Sequence, residues 1–194
     1  MNIEPGILQR VRADGHRVFT GPWNVNLIGV RSANRDQAGD LFDDWLHCVF
    51  QTDAGNWIDL CLQATTDPGR RWLENKGGHG RGAAIMAPGQ YRGLWALGLH
   101  RRRVPALVQV GRCRYYRDKD RDTILDMDPA TIEDRIVFLN CHPAGPDSKR
   151  IGLWSAGCQV VANQDEFDTL LSICRRSSQY YGPRFTYTLI EAPL

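Results

Sequence analysis

At 194 residues and 22.0 kDa the chain has the length of one domain with a proper core, and 42% hydrophobic and 24% charged residues are ordinary for a globular protein. A formal charge of +2 gives no strong field toward nucleic acid or acidic lipid, and no apolar window approaches the length a membrane-spanning helix needs. Six cysteines without a C-x-x-C pair argue against a zinc ribbon or a thioredoxin-type site.

The opening "MNIEPGILQRVRADGHRVF" has no basic leader followed by an apolar core. The expectation is a protein made in the cytoplasm without a signal peptide, holding its thiols reduced. Residues 1–22 read as an N-terminal extension of a single domain spanning 1–194. "WNVNLIGVRS" (Trp23–Ser32) is strand-like, and "DWLHCVFQT" and "WIDLCLQAT" flank "DAGN" as a hairpin. Cys48, Cys61 and Cys174 lie in apolar stretches and read as small hydrophobes. The segment from Gly69 to Gly82 carries five glycines; its middle, Lys76 to Gly82, is either a plain surface loop or a mobile lid. It lacks the pattern of a phosphate-cradling loop.

"AIMAPGQYRGLWALGLH" reads as strand, Pro-Gly turn, strand, and "PALVQVGRCRYYRD" as a further strand pair. Between them His100 to Arg103 forms a dense basic patch without interleaved aromatics, best read as a solvated turn. "IVFLNCH" (Ile136–His142) is a short apolar run suited to a buried strand ending at a histidine, and "WSAGCQVV" a turn leading into its neighbour. Asn163 then caps a helix whose apolar face is Phe167, Leu170, Leu171 and Cys174, ended by Gly182-Pro183. "FTYTLIE" closes as a strand. Strands do not alternate with helices, so the class is mainly β (α+β) with one C-terminal helix followed by a strand.

His142 and Cys158 are the residues with chemistry to offer. Both stand at ends of short strand-like runs with fifteen residues between them, mostly loop. If the runs are neighbours, the imidazole takes the thiol proton and the thiolate is the nucleophile. Gly157 permits a tight turn, its amide and that of Cys158 are candidate oxyanion donors, and Ser155 is placed to support the turn. Cys141, one residue from His142, faces the other side of a strand. No G-x-S-x-G surrounds Ser155, and no H-E-x-x-H surrounds His16, His47, His79 or His100, which disfavours a serine hydrolase and a zinc peptidase.

His142, the loop and "SAGC" together resemble the YkuD-type L,D-transpeptidase catalytic domain, whose signature is a histidine, a loop and [S/T]-H-G-C. "IMAPGQYRGLWAL" resembles that family's T-P-x-G-x-[YF] element, upstream of the histidine there as well. "WSAGCQV", "ATTDPG" and "YRDKDRDTILD" resemble phage and prophage relatives of that domain. The resemblance implies a β-sandwich or barrel and a peptidoglycan stem peptide as substrate. It implies Cys158 as nucleophile, His142 as base, and a thioester resolved by an amine or by water. Trp154, Arg150, Gln159 and Tyr91 become candidate substrate contacts, with Lys149 and Arg81 as candidate carboxylate anchors. The sequence departs from the family pattern at Ala156, where the second histidine is expected, at Val160, where Arg or Asn is usual, and at Pro143.

What the resemblance implies is a wall-acting cysteine enzyme, expected to be hydrolytic and to reach the wall after lysis or dedicated release. The competing reading is a wall-binding or virion structural module on the same fold. Asp118, Asp120, Asp122 and Asp126 have the spacing of a calcium loop, but Thr123 stands where glycine is needed and Pro129 where a bidentate Glu belongs. An acidic turn neutralised by Arg117, Lys119 and Arg121 is the plainer expectation, and no other cofactor is expected.

Overall fold

The computed structural model describes residues 3–75, 80–146 and 148–192; most of the glycine-rich candidate lid, Lys76 to His79, lies outside them. The molecule is mainly β. Among the described residues eleven strands run β1 Asn26–Arg31, β2 Asp44–Gln51, β3 Trp57–Thr65, β4 Ala83–Met86, β5 Gly89–His100, β6 Val104–Gln109, β7 Cys113–Asp118, β8 Glu133–Arg135, β9 Cys141–Pro143, β10 Gln159–Val161 and β11 Arg184–Glu191. Eight of them close into a barrel in the order β1-β11-β5-β6-β9-β10-β3-β2, and β4, β7 and β8 form a separate sheet.

The β2–β3 hairpin forms as the sequence predicts, paired from Asp44↔Ala64 to Gln51↔Trp57. The Pro-Gly turn does not make a hairpin. The chain passes there from one sheet to the other, so β4 pairs with β7 while β5 pairs with β11 and β6. The expected pair β6–β7 is divided in the same way. Local pattern marks strands, but partners are chosen by burial of the whole set.

β11 lies parallel to β1 and antiparallel to β5, and is buried along most of its length. The helix α3 (Gln164–Tyr181) follows the sequence reading closely. The Asn163 side chain accepts from the amides of Asp165 and Glu166, a cap contributing about 1 kcal/mol. Its apolar face, Phe167, Leu170, Leu171 and Cys174, enters the main core with Trp95, Leu107, Cys141 and Tyr187. Each fully buried side chain of this size contributes roughly 1.5–3 kcal/mol.

Two further helices were not legible in the sequence: α1 (Gly6–Ala13) and the short α2 (Arg70–Glu74). Leu8 and Val11 of α1 pack on Ile28, Val49 and Ile190, so part of the expected extension is fastened to the barrel. Cys61 also departs from expectation, being exposed rather than buried.

The barrel is thinnest where β9 and β10 meet, three residues each, running parallel. A parallel pair requires a long crossover. Here it is the segment 144–158, held by Ile151 against Phe42 and Val160 and by Asp40, which accepts from the amides of Ile151, Gly152 and Arg70.

Candidate active site

The β9–β10 seam decides which side chains meet. Val160 is level with His142, and Cys158 lies two residues before Val160 on the same face of a pleated strand. Cys158 and His142 therefore share one side, while Cys141 points into the main core and is fully buried. The expected strand Ile136–His142 is corrected: β9 begins only at Cys141, and Ile136 and Phe138 are exposed. Phe138 has φ +63, an uncommon backbone state for a bulky residue.

His142 is 3% exposed, and its Nδ1 lies 2.9 Å from the Pro143 carbonyl oxygen. A carbonyl only accepts, so Nδ1 carries the proton and Nε2 holds the lone pair. That Nε2 is buried without a partner among the described residues. One ring nitrogen each of His142 and His100 and the sulfur of Cys158 lie within 4.8 Å of one another.

Cys158 is 8% exposed and lies on the wall of a cavity of about 570 Å³, with Ala84, Phe138, Leu139 and Ala156 beside it and Arg81, Arg117 and Arg135 among its other lining residues. A second cavity of about 510 Å³ is lined by His100, Arg101, Gln109 and Asn140, and Phe138 is a wall common to both.

Burial lowers the imidazole of His142 to about 4, the Pro143 carbonyl opposing this in part. Burial pushes the Cys158 thiol up to about 11. Both groups are neutral at pH 7, so the expected standing thiolate is absent. The Cys158 sulfur lies 3.6 Å from the Phe138 carbonyl oxygen, which accepts from the thiol in this arrangement. Proton transfer to Nε2 then requires a turn of the thiol and a small closure, as catalytic contacts outside a substrate complex commonly do.

The turn before β10 is built by Ser155, whose buried hydroxyl donates to the Cys158 carbonyl at 2.7 Å and accepts from the Gly157 amide at 3.1 Å. Ser155 thus supports the turn as expected, while the Gly157 N–H is already committed and is not a spare oxyanion donor. Gly157 itself is required, since at φ +122 a Cβ would stand 2.2 Å from the Ala84 carbonyl oxygen.

The other expected substrate contacts do not gather at the sulfur. Gln159 is buried, donating to the Thr66 and Gly157 carbonyls and accepting from Tyr187. Tyr91 is buried and donates to the Ala87 carbonyl, bracing the turn before β5. The Trp154 ring lies over Gly145, and Arg150 donates to the Gly39 carbonyl. Neither they nor Lys149 lines the Cys158 cavity, whereas Arg81 does.

Sequence reasoning missed His100. Arg101 and Arg102 adopt positive φ in the β5–β6 turn and are exposed, as a solvated turn requires. His100, at the end of β5, instead turns inward, and its ring stacks on His142 with centroids 4.1 Å apart. Asn140 Oδ1 accepts from the Gln109 amide, so its Nδ2 donates to His100 Nδ1 at 3.0 Å. His100 Nδ1 is therefore unprotonated, and burial and the nearby Arg101 charge lower its pKa. No signal in a single sequence marks this contact, because it joins residues 42 positions apart through a turn.

A second Cys–His pair stands on the outer face of the β2–β3 hairpin. His47 Nδ1 is 2.9 Å from Asp59, and His47 Nε2 is 3.6 Å from the Cys61 sulfur. Burial and the Asp59 charge raise the Cys61 thiol. The chain matches no family model, no curated protein and no solved structure. No helix among the described residues is long and apolar enough to cross a membrane.

Proposed function

We propose that the protein is a cysteine enzyme of L,D-transpeptidase type that opens a peptidoglycan stem peptide at an L,D bond through a thioester on Cys158. One observation carries the reading: a buried imidazole, its Nδ1 proton held by a backbone carbonyl and its Nε2 unpartnered among the described residues, has a ring nitrogen within 4.8 Å of a thiol on a cavity wall. This is the arrangement of base and nucleophile that acyl transfer needs.

In this reading the thiol proton moves to His142 Nε2 as sulfur bonds to the substrate carbonyl carbon. The oxyanion takes the amide of Cys158, Gly157 being engaged by Ser155. Collapse breaks the C–N bond, and the leaving amine receives the proton from Nε2. Water then attacks the thioester, gives its proton to Nε2, and the released sulfur recovers a proton. Burial opposes a standing imidazolium–thiolate pair, so in this reading proton transfer accompanies the attack of sulfur on the carbonyl instead of preceding it.

Arg81, Arg117 and Arg135 suit the carboxylates of a stem peptide. Arg117 and Arg135 share one acidic partner, Glu133, which leaves the wall with a positive surplus. Phe138, between two cavities, is placed to divide the substrate on either side of the cut bond.

Purified sacculi, a defined tetrapeptide and a cross-linked dimer provide the test, with products read by mass spectrometry. New products with the wild type and none with Cys158→Ala are expected; a cross-linked product would assign an amine as acceptor instead of water. The competing reading, a wall-binding or virion module, draws on the thiol facing Phe138 and on Ala156. Binding to sacculi without products would favour it.

A further inference from the structure

The loop after β7 brings carboxylates together without neutralising them. Oxygens of Asp118, Asp120 and Asp126 lie within 4.8 Å of one another. Asp118 is fully buried; its Oδ2 accepts from the Asp126 amide at 3.0 Å, and its Oδ1 is buried with no partner among the described residues. Of the three residues expected to neutralise this turn, Arg117, Lys119 and Arg121, the first faces elsewhere, since Arg117 Nε pairs with Glu133 at 3.2 Å and its Nη1 donates to the Gly82 carbonyl. No ion pair reaches the three carboxylates among the described residues.

The loop is also fastened so that repulsion cannot spread it. The Gln37 amide donates to the Thr123 carbonyl at 2.7 Å, the Leu125 amide to the Arg35 carbonyl at 2.8 Å, and the Thr123 hydroxyl to Asp36 at 2.7 Å. A buried carboxylate oxygen without donor or cation is costly, and two acidic neighbours held beside it raise the cost.

We propose that Asp118, Asp120 and Asp126 form a binding site for one calcium ion. Calcium takes oxygens at about 2.3–2.6 Å, so two ligands on opposite sides are at most about 4.6–5.2 Å apart. The three carboxylates as they stand are within that span. Magnesium, at about 2.0–2.1 Å, demands near-ideal octahedral geometry and holds its water, and suits a cluster of three chain carboxylates less well than the flexible coordination of calcium. The ligand set differs from the one the calcium-loop spacing implies: the oxygens that cluster are those of Asp118, Asp120 and Asp126, while Asp122 turns its Oδ1 to the Ile124 amide at 2.7 Å. The loop therefore does not need the glycine and terminal Glu of that motif.

The ion's role is structural. Asp118 is level with Ala83 in the β4–β7 ladder, and Gly82 and Arg117, adjoining them, line the Cys158 cavity. Neutralising Asp118 braces that wall without entering the chemistry.

The test is thermal unfolding of the full chain in calcium, in magnesium, and in sodium chloride matched for ionic strength, with calorimetric titration of calcium alongside. Calcium at about a hundred times its dissociation constant should raise the wild-type Tm by roughly 5–10 °C. Asp118→Asn and Asp126→Asn should each abolish the rise, and Asp118→Asn without calcium should unfold no lower than the wild type without calcium. Should Asp118→Asn fail to fold, Asp126→Asn and Asp120→Ala, at less buried positions, carry the same comparison. A calcium response no larger than that of sodium chloride, one undiminished in the variants, or an equal response to magnesium overturns the assignment.

Discussion

Two cysteine–histidine pairs occupy one molecule, and they differ in nearly everything but composition. His47 and Cys61 face each other across a regular hairpin, with Asp59 holding the ring, on an outer strand face. His142 and Cys158 meet where the two three-residue strands of the barrel pair, with a backbone carbonyl holding the ring and the sulfur on a cavity wall. Sulfur and imidazole are nearer to a hydrogen bond in the first pair, and burial together with the Asp59 charge raises its thiol. Proximity alone points to the first pair, and the proposed function departs from it. What marks the second is an orphaned lone pair, a tight turn behind the nucleophile and space for a substrate.

The largest expected effect breaks this comparison directly. Cys158→Ala should reduce stem-peptide cleavage to background, and His142→Ala should lower kcat/KM by roughly 10²–10⁴. Cys61→Ala and His47→Ala should leave the rate within twofold. Muropeptide release from sacculi reads all four, and a loss confined to the hairpin variants would transfer the chemistry to the outer pair.

Next in size is Gly157→Ala. The added methyl would meet the Ala84 carbonyl in a left-handed backbone state, costing roughly 2–4 kcal/mol in strain and overpacking. A urea midpoint unchanged from the wild type would mean that the turn behind Cys158 can relax, and that the rigid placement of the sulfur is not built in.

Acid sharpens the difference between the two imidazoles. His142 is held to about 4 in the folded protein, against about 6.5 when unfolded. Above pH 6.5 neither state binds the proton and the group contributes nothing. As pH falls from 6.5 toward 4 the unfolded chain takes a proton that the native site refuses, so stability is lost. At pH 5 the loss is about 2 kcal/mol. Replacing the ring by His142→Gln should remove that slope, so the variant gains on the wild type by this amount between pH 7 and pH 5 in denaturant titrations. Parallel curves would show that His142 titrates freely and is not the buried neutral base.

Much of the scaffold was legible because it rests on local pattern. Asn163, the 3.6-residue spacing of Phe167 to Cys174, and Gly182 fix α3 within a few residues, and the alternation around "DAGN" fixes one hairpin. Strand partners were not legible, since β4 and β5 adjoin in sequence but are bound to different sheets. At the site, Cys158, His142 and Ser155 are readable from residue type and turn chemistry. Gln159 and Tyr91 mislead because polar groups near a motif are often consumed by the core, as their bonds to Tyr187 and Ala87 illustrate. The acidic loop failed as a spacing pattern, and only its folded geometry separates Asp122 from the other three aspartates.

The smallest expected effect concerns His100, whose ring stacks on that of His142. Its Nδ1 accepts from Asn140, so its proton resides on Nε2 and the ring is neutral at pH 7. A neutral ring stacked at 4.1 Å covers the imidazole, keeps water from it and holds its plane, while a charged one would oppose protonation of His142 during attack. In the proposed mechanism His100 is a positioning residue, its neutral ring covering His142 while Nε2 of His142 moves the proton. His100→Phe preserves the aromatic cover and should retain most activity, whereas His100→Ala opens the ring to water and should lower kcat/KM by up to about tenfold, equivalent to about 1.4 kcal/mol. The pH profile separates this role from a merely structural one: in His100→Ala the acid limb should move upward from about 4 toward the ordinary histidine range as His142 regains solvent. An acid limb unmoved in His100→Ala would remove His100 from the site, and equal losses in His100→Phe and His100→Ala would mean that the Asn140 bond, not the stacked face, is what the base requires.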